Sequence, residues 1–190
     1  LTSVALIAIA SAGVWMTFYI VRINIGQGAY ALAGGYVSAI LITQAGMSFW
    51  LSLPIAGLFC AVLSVFIGLP ILRLRGVYFA MVTLVLTEVM RLVALALSVT
   101  QGAKGITSMP LPGELSVFGI TLIPDFATLE NPKIAFYWMA ITIMIIAYAV
   151  LWRIVNSRLG HLCRSLQQNE ELSASIGVNT AYLRVLAYSI

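Results

Sequence analysis

Glu88 and Arg91 stand one helical turn apart in a run, Val77–Val99, that is otherwise free of charge. Ionisable groups near the middle of such a run are costly to place in lipid, so they either line a polar pathway or satisfy each other as an i,i+3 pair. Catalysis there would need a second carboxylate, a histidine or a set of metal ligands, and no other apolar run of the sequence supplies one. A second group with chemical potential is Asn24-Ile25-Gly26-Gln27-Gly28, followed by Ala29-Tyr30 and then Gly34-Gly35-Tyr36. Glycines at this density let a helix unwind beside a cavity, where Asn24, Gln27 and the freed backbone of Gly26 and Gly28 would meet a solute. They equally permit plain close packing of helices.

Other short patterns carry less. His161 and Cys163 form an isolated H-x-C, too few donors for zinc, and a solvated loop is the expected setting. Gly102-Ala103-Lys104-Gly105-Ile106-Thr107 lacks the adjacent G-K-[ST] of a phosphate loop. The glycines after Asn24 follow no strand and precede no acidic ribose ligand, so they are no dinucleotide fingerprint. Nothing in the sequence calls for a cofactor, and two cysteines make no disulfide framework.

The elements that must position these residues follow from composition. Of 190 residues, 62% are hydrophobic and 8% charged, against about 25% charged in soluble domains. A soluble fold of this size cannot bury that much apolar surface. The ten basic residues are dispersed rather than gathered with stacking aromatics, which argues against nucleic acid despite a net charge of +4. The chain is therefore expected to be all-α, a polytopic transmembrane helix bundle solvated by lipid, because irregular backbone cannot face hydrocarbon.

A crossing needs about 20 mostly apolar residues. Leu1–Val21 is one candidate. The uncharged stretch 23–72 is too long for a single crossing and breaks at Thr43–Ser48 into Ala29–Ile42 and Phe49–Leu72. Val77–Val99 and Ile134–Trp152 follow, the last flanked by Phe136, Tyr137, Trp138 and Trp152 in the manner of an aromatic belt. With Tyr182–Ile190 the reading is about five membrane segments plus the start of a sixth, residues 1–190 forming one transmembrane domain cut from a longer chain. Arg22, Arg73, Arg75, Arg153, Arg158 and Arg164 fall on one side of this arrangement, Lys104 and Lys133 on the other. The positive-inside rule makes 153–181 cytoplasmic and the proline-rich loop 100–133 periplasmic or exterior. Within that loop, Leu115–Ile123 alternates enough for a small hairpin. Within the cytoplasmic segment, Asn169 is a good N-cap, Glu170 and Glu171 suit a helix start and Gly177 suits its end, which predicts a two-turn helix.

That cytoplasmic segment, Ser157 to Asn179, resembles the coupling loop of ABC-importer permeases in the branched-chain amino acid subfamily, roughly S-x-x-G-R-A-x-R-A-I-R-E-D-E-x-A-A-x-x-x-G-I-N. Gly160, Arg164, Glu170, Gly177 and Asn179 match that pattern, while Gln167 stands where the family usually has Arg and Leu172-Ser173 where it has Ala-Ala. Leu72-Arg73-Leu74-Arg75-Gly76-Val77-Tyr78-Phe79-Ala80 is similar to the family's L-R-L-R-G-x-Y-F-A, and Thr100–Ile106 to the T-G-G-x-x-G-I that follows it. Gly26, Ala29, Gly34 and Tyr36 fit the weaker G-x-A-A-F-x-x-x-G-A-Y.

The resemblance, most of all to the LivM-type subunit, implies a non-enzymatic transport subunit of the bacterial inner membrane. Its partners would be a second permease subunit, two cytoplasmic ATP-binding subunits that dock at the matching coupling residues, and a periplasmic substrate-binding protein. Related ABC permeases for sugars, urea or short amides share this architecture and stay open as alternatives. An ion-coupled transporter or channel would need a charged relay through several spans or inverted repeats, whereas the charges here lie in one span and no internal repeat is visible.

Overall fold

The computed structural model describes residues 2–18, 24–74, 76–106, 109–110, 112–113, 115–117, 120–123, 132–169, 173, 175 and 180–189. Its helices are α1 (Thr2–Phe18), α2 (Gln27–Thr43), α3 (Phe49–Ile71), α4 (Val77–Ala96), α5 (Pro132–Val155), α6 (Arg158–Gln168) and α7 (Thr180–Ser189). The protein is an all-α, multi-pass helical membrane protein. Three helices, α3, α4 and α5, are long and apolar enough to cross a membrane, and the apolar stretch Thr2–Thr17 of α1 is shorter. Large apolar side chains cover the outside, among them Phe66 at 72% and Trp152 at 70% exposure, which suits lipid rather than water.

Among the described residues the bundle is built from helix pairs, α3 also packing on α7. The Tyr148 hydroxyl of α5 donates to the Ala8 carbonyl of α1 (3.1 Å), and α1 and α5 run parallel. α2 and α3 run antiparallel, joined by Ser38 and Ser52 hydroxyls at 3.0 Å and by the Cys60 thiol, which donates to the Tyr30 carbonyl. α4 packs on α2. Its start is set by Gly76, whose φ of 61° is closed to most side chains, so the L-R-L-R-G run ends where a glycine is required to turn into α4.

At one end of the bundle the last turn of α3, the first turn of α4, α6 and α7 meet in a core of Ile71, Leu72, Phe79, Cys163, Ala187 and Tyr188. Arg73, Arg153, Arg158 and Arg164 belong to this end, called below the arginine end. At the other end the chain after α4 folds back through two short 3-10 turns, and the Trp50 indole donates to the Gly113 carbonyl (3.0 Å). There β1 (Leu115–Val117) pairs antiparallel with β2 (Ile120–Ile123), the hairpin expected from the alternation of that segment.

One local expectation is corrected. His161 and Cys163 sit on a helix, α6, and not in a solvated loop. Gly160, Cys163 and Leu166 recur at helical spacing and are buried, while His161 and Arg164 face outward. Burial pushes the Cys163 thiol up from its ordinary range, because the thiolate would be desolvated in that core.

Candidate functional site: a cavity at the start of α2

The helix α2 begins well inside the bundle. The Ile25 N–H donates to the Thr83 hydroxyl (3.3 Å), and that hydroxyl donates to the Ala80 carbonyl (2.9 Å). Thr83 is six residues beyond the start of α4, about 9 Å along its axis. Non-helical backbone at 24–26 therefore lies at that depth, with Asn24 and Gly26 buried and Ile25 exposed. Asn24, 4% exposed, accepts the Gly26 N–H on its side-chain oxygen (2.8 Å) and so closes the turn that launches α2. A Cβ on Gly26 would stand 2.9 Å from the Thr83 carbonyl oxygen, so only glycine lets the segment lie this close to α4.

Beside this turn is a cavity of about 720 Å³, with Asn24, Gln27, Gly28, Tyr30, Cys60 and Tyr188 among its lining residues. Four elements besides α2 contribute walls: α1, α3, α5 and α7. The lining is chiefly apolar with uncharged polar groups, the composition suited to a small solute whose apolar part is sheltered. The structure thus brings together Asn24, Gln27 and Gly28 of the sequence-derived set, and places Gly26 behind them as the packing contact. Gly26 occupies the N-cap position and brings no side-chain cap, so the positive end of α2 opens beside the cavity.

Glu88 is not brought to this cavity. It lies on the outer flank of α4, with the Arg91 Nε donating to one carboxylate oxygen (2.9 Å) and Nη2 to the other (2.5 Å). The two side chains are 54% and 52% exposed, on a helix otherwise apolar enough to span a membrane.

The coupling residues divide in the same way. Gly160 sits at the corner from α5 into α6, where a Cβ would collide with the backbone carbonyl of Val155. Arg164 is on the exposed face of α6. Glu170, Gly177 and Asn179 lie outside the described residues. Asn169 has extended backbone after α6, and its carbonyl accepts the Ser173 N–H (3.1 Å). That is the N-cap geometry expected of it.

Sequence reasoning quoted Tyr30 with the glycine-rich run but gave it no role, and it passed over Tyr188. Tyr30 and Tyr188 place their hydroxyls 2.9 Å apart, across α2 and α7. Tyr30 lies two residues past Gly28, inside the motif, so its position was a usable signal. Tyr188 stands in an apolar run with no local sign of its partner.

The family model for the permease component of branched-chain amino acid transport systems matches residues 1–190. Two curated relatives are similar, each 30% identical over 182 residues, covering 87% of this chain and 42% of theirs. They are the high-affinity branched-chain amino acid transport system permease protein LivM of Escherichia coli K12 and its counterpart in Salmonella typhimurium LT2. The chain thus spans 42% of the length of these relatives. No solved structure matches.

Proposed function

This chain belongs to the branched-chain amino acid transport permease family, and from that premise we propose that it forms part of the translocation pathway of an ATP-driven importer for branched-chain or similar amino acids in a bacterial inner membrane. The observation that carries the proposal is the broken start of α2 beside a cavity lined by five helices. A helix N-terminus at membrane depth offers its positive end to a carboxylate, and the apolar walls shelter a branched side chain. Asn24 and Gln27 supply uncharged polar groups, and Gly26 and Gly28 allow close approach of backbone.

The chain does no chemistry of its own in this reading. Substrate arrives from a periplasmic binding protein at the hairpin end, residues 100–133. Two ATP-binding subunits dock at the arginine end, on the segment 153–181 that holds Gly160, Arg164, Glu170, Gly177 and Asn179. Their closure on ATP presses that segment and rocks the helices between two access states. A second permease subunit faces α4, where Glu88 and Arg91 meet the pathway between subunits rather than lipid. The mid-span position of that ion pair supports this placement, because charged groups there are rarely left against acyl chains.

The test is substrate uptake by the whole transporter carrying Gln27→Leu, which keeps the side-chain size and removes the amide. Uptake should fall by about tenfold at unchanged membrane abundance, on the order of one polar contact to substrate. Wild-type uptake would remove Gln27 and this cavity from the pathway.

A further inference from the structure

Close to the start of α2, one side chain of α7 reaches three neighbouring helices. Cys60 of α3 stands level with Tyr30. Gly68 is eight residues further on, about 12 Å nearer the arginine end. The Tyr188 ring lies on Gly68, where a Cβ would come within 2.7 Å of the ring's Cδ1. It meets Phe79 of α4 edge-on (centroids 6.2 Å apart, 78°) and Tyr30 of α2 in the same manner (5.9 Å, 80°). Its hydroxyl then reaches the Tyr30 hydroxyl at 2.9 Å. One residue, 6% exposed, thus touches three helices and lines the cavity.

The helix that carries Tyr188 is also the one that leaves the coupling segment. α7 begins at Thr180, and Ala187 and Tyr188 share a core with Cys163 of α6. From Thr180 to Tyr188 is about 12 Å of helix. A displacement of α6 therefore reaches the cavity lining through this shared core, in which Cys163 of α6 packs with Ala187 and Tyr188 of α7.

We propose that Tyr188 is the plug at the arginine end of the cavity, and that its hydroxyl contact with Tyr30 is the latch that holds the plug in place until the coupling segment moves α7. This deepens the pathway reading above and rests on it. The strength of the latch suits the task. A neutral hydroxyl pair contributes one modest hydrogen bond, and both hydroxyls find water when parted, so the closed state is favoured by roughly 3- to 10-fold. A charged pair would hold too firmly to be released each cycle. The ring contacts with Gly68 and Phe79 guide the plug, and the hydroxyls set its bias.

Cys60 lines the same cavity and is a built-in reporter. The test uses the assembled transporter in inside-out vesicles without ATP, with a membrane-impermeant maleimide applied at the cytoplasmic face and the Cys60 peptide followed by mass spectrometry. Tyr30→Phe and Tyr188→Phe keep both rings, so packing is retained. Each should raise the rate of Cys60 labelling by roughly 3- to 10-fold. The double variant should match the single ones, because each removes the same bond. Unchanged rates in both variants at wild-type abundance would overturn the latch, and so would additive effects. A separate arm tests the parent reading: a transported amino acid should slow Cys60 labelling in the wild-type protein. No slowing there overturns the pathway reading, whatever the phenylalanine variants do.

Discussion

The start of α2 and the corner between α5 and α6 are both built by pressing backbone against backbone at a glycine, yet they fail in different ways. At Gly26 the neighbour is Thr83, on another helix and far along the chain. At Gly160 the neighbour is Val155, five residues earlier in the same turn of chain. The first contact joins two separately formed helices, and either can shift by a few tenths of an ångström to absorb an added methyl. The second fixes the direction in which α6 leaves α5, and α7 follows from α6. A long-range contact positions a surface; a local one aims everything downstream. The cavity region is also uncharged, whereas the corner is ringed by Arg158, His161 and Arg164 on its exposed side.

The largest effect is accordingly expected at the corner. Gly160→Ala sets a methyl into the Val155 carbonyl, and backbone cannot yield as a side-chain end would. Overpacking of a well-filled site costs about 1–3 kcal/mol, and a backbone neighbour puts this case at the top of that range or above it. The α5–α6 angle must open, carrying the proposed docking face away from the position it holds here. The measurement is crosslinking between the ATP-binding subunit and a cysteine introduced at Gln168, which is exposed; Ser173, the alternative in the next turn, is 3% exposed and turned inward. Crosslinking should fall at least tenfold by the size of that penalty. Retained crosslinking would show that the corner does not aim the docking segment.

Next in size is the ion pair on α4, which separates the charged flank from the uncharged cavity. Glu88→Gln leaves Arg91 without its bidentate partner at mid-span. If pairing is the whole role, membrane abundance should drop, and Glu88→Gln with Arg91→Gln should restore it. If Glu88 also meets the pathway between subunits, abundance holds, uptake falls several-fold, and the double variant does not recover. Membrane abundance and uptake across the two single variants and the double distinguish the cases. Normal uptake in Glu88→Gln at normal abundance would confine this residue to pairing.

How much of this could be read from residues alone follows from the range of each contact. The spans were legible because hydropathy is local: Val77–Val99 and Ile134–Trp152 correspond closely to α4 and α5. Asn169 was legible because a cap is decided by neighbours in sequence, and the Leu115–Ile123 hairpin because alternation is too. α6 was not legible as a helix although Gly160, Cys163 and Leu166 repeat at helical spacing, because a glycine and a cysteine in that stripe carry little hydropathy signal. The cavity was half legible. Asn24, Gln27 and Gly28 belong to a local motif, but the lining residue Tyr188 is 158 positions from Tyr30, and no local pattern pairs two such tyrosines. Glu88 was singled out correctly as unusual for a span, while its direction, away from the cavity, depends on which face of α4 meets α2.

The smallest expected effect sharpens the opening contrast within one short region. Gly26→Ala brings a Cβ to 2.9 Å from the Thr83 oxygen, so α2 and α4 must separate slightly at the cavity wall. The strain is about 1–3 kcal/mol, shared between two helices that can move. Uptake should fall several-fold while the protein remains in the membrane, unlike the loss of docking at Gly160. Gly35→Ala is the matched control on the same helix, since a Cβ there meets nothing within 4 Å. Removing a helix-interior glycine favours the helix by about 1 kcal/mol in isolation, so this variant should keep or slightly raise thermal stability with uptake unchanged. The reading is the ratio of uptake between the two alanine variants at matched abundance, with Gly35→Ala higher. An inverted ratio would mean that Gly35, open within this chain, is covered by a neighbouring subunit. The close packing that governs transport would then lie between permease chains rather than at the start of α2.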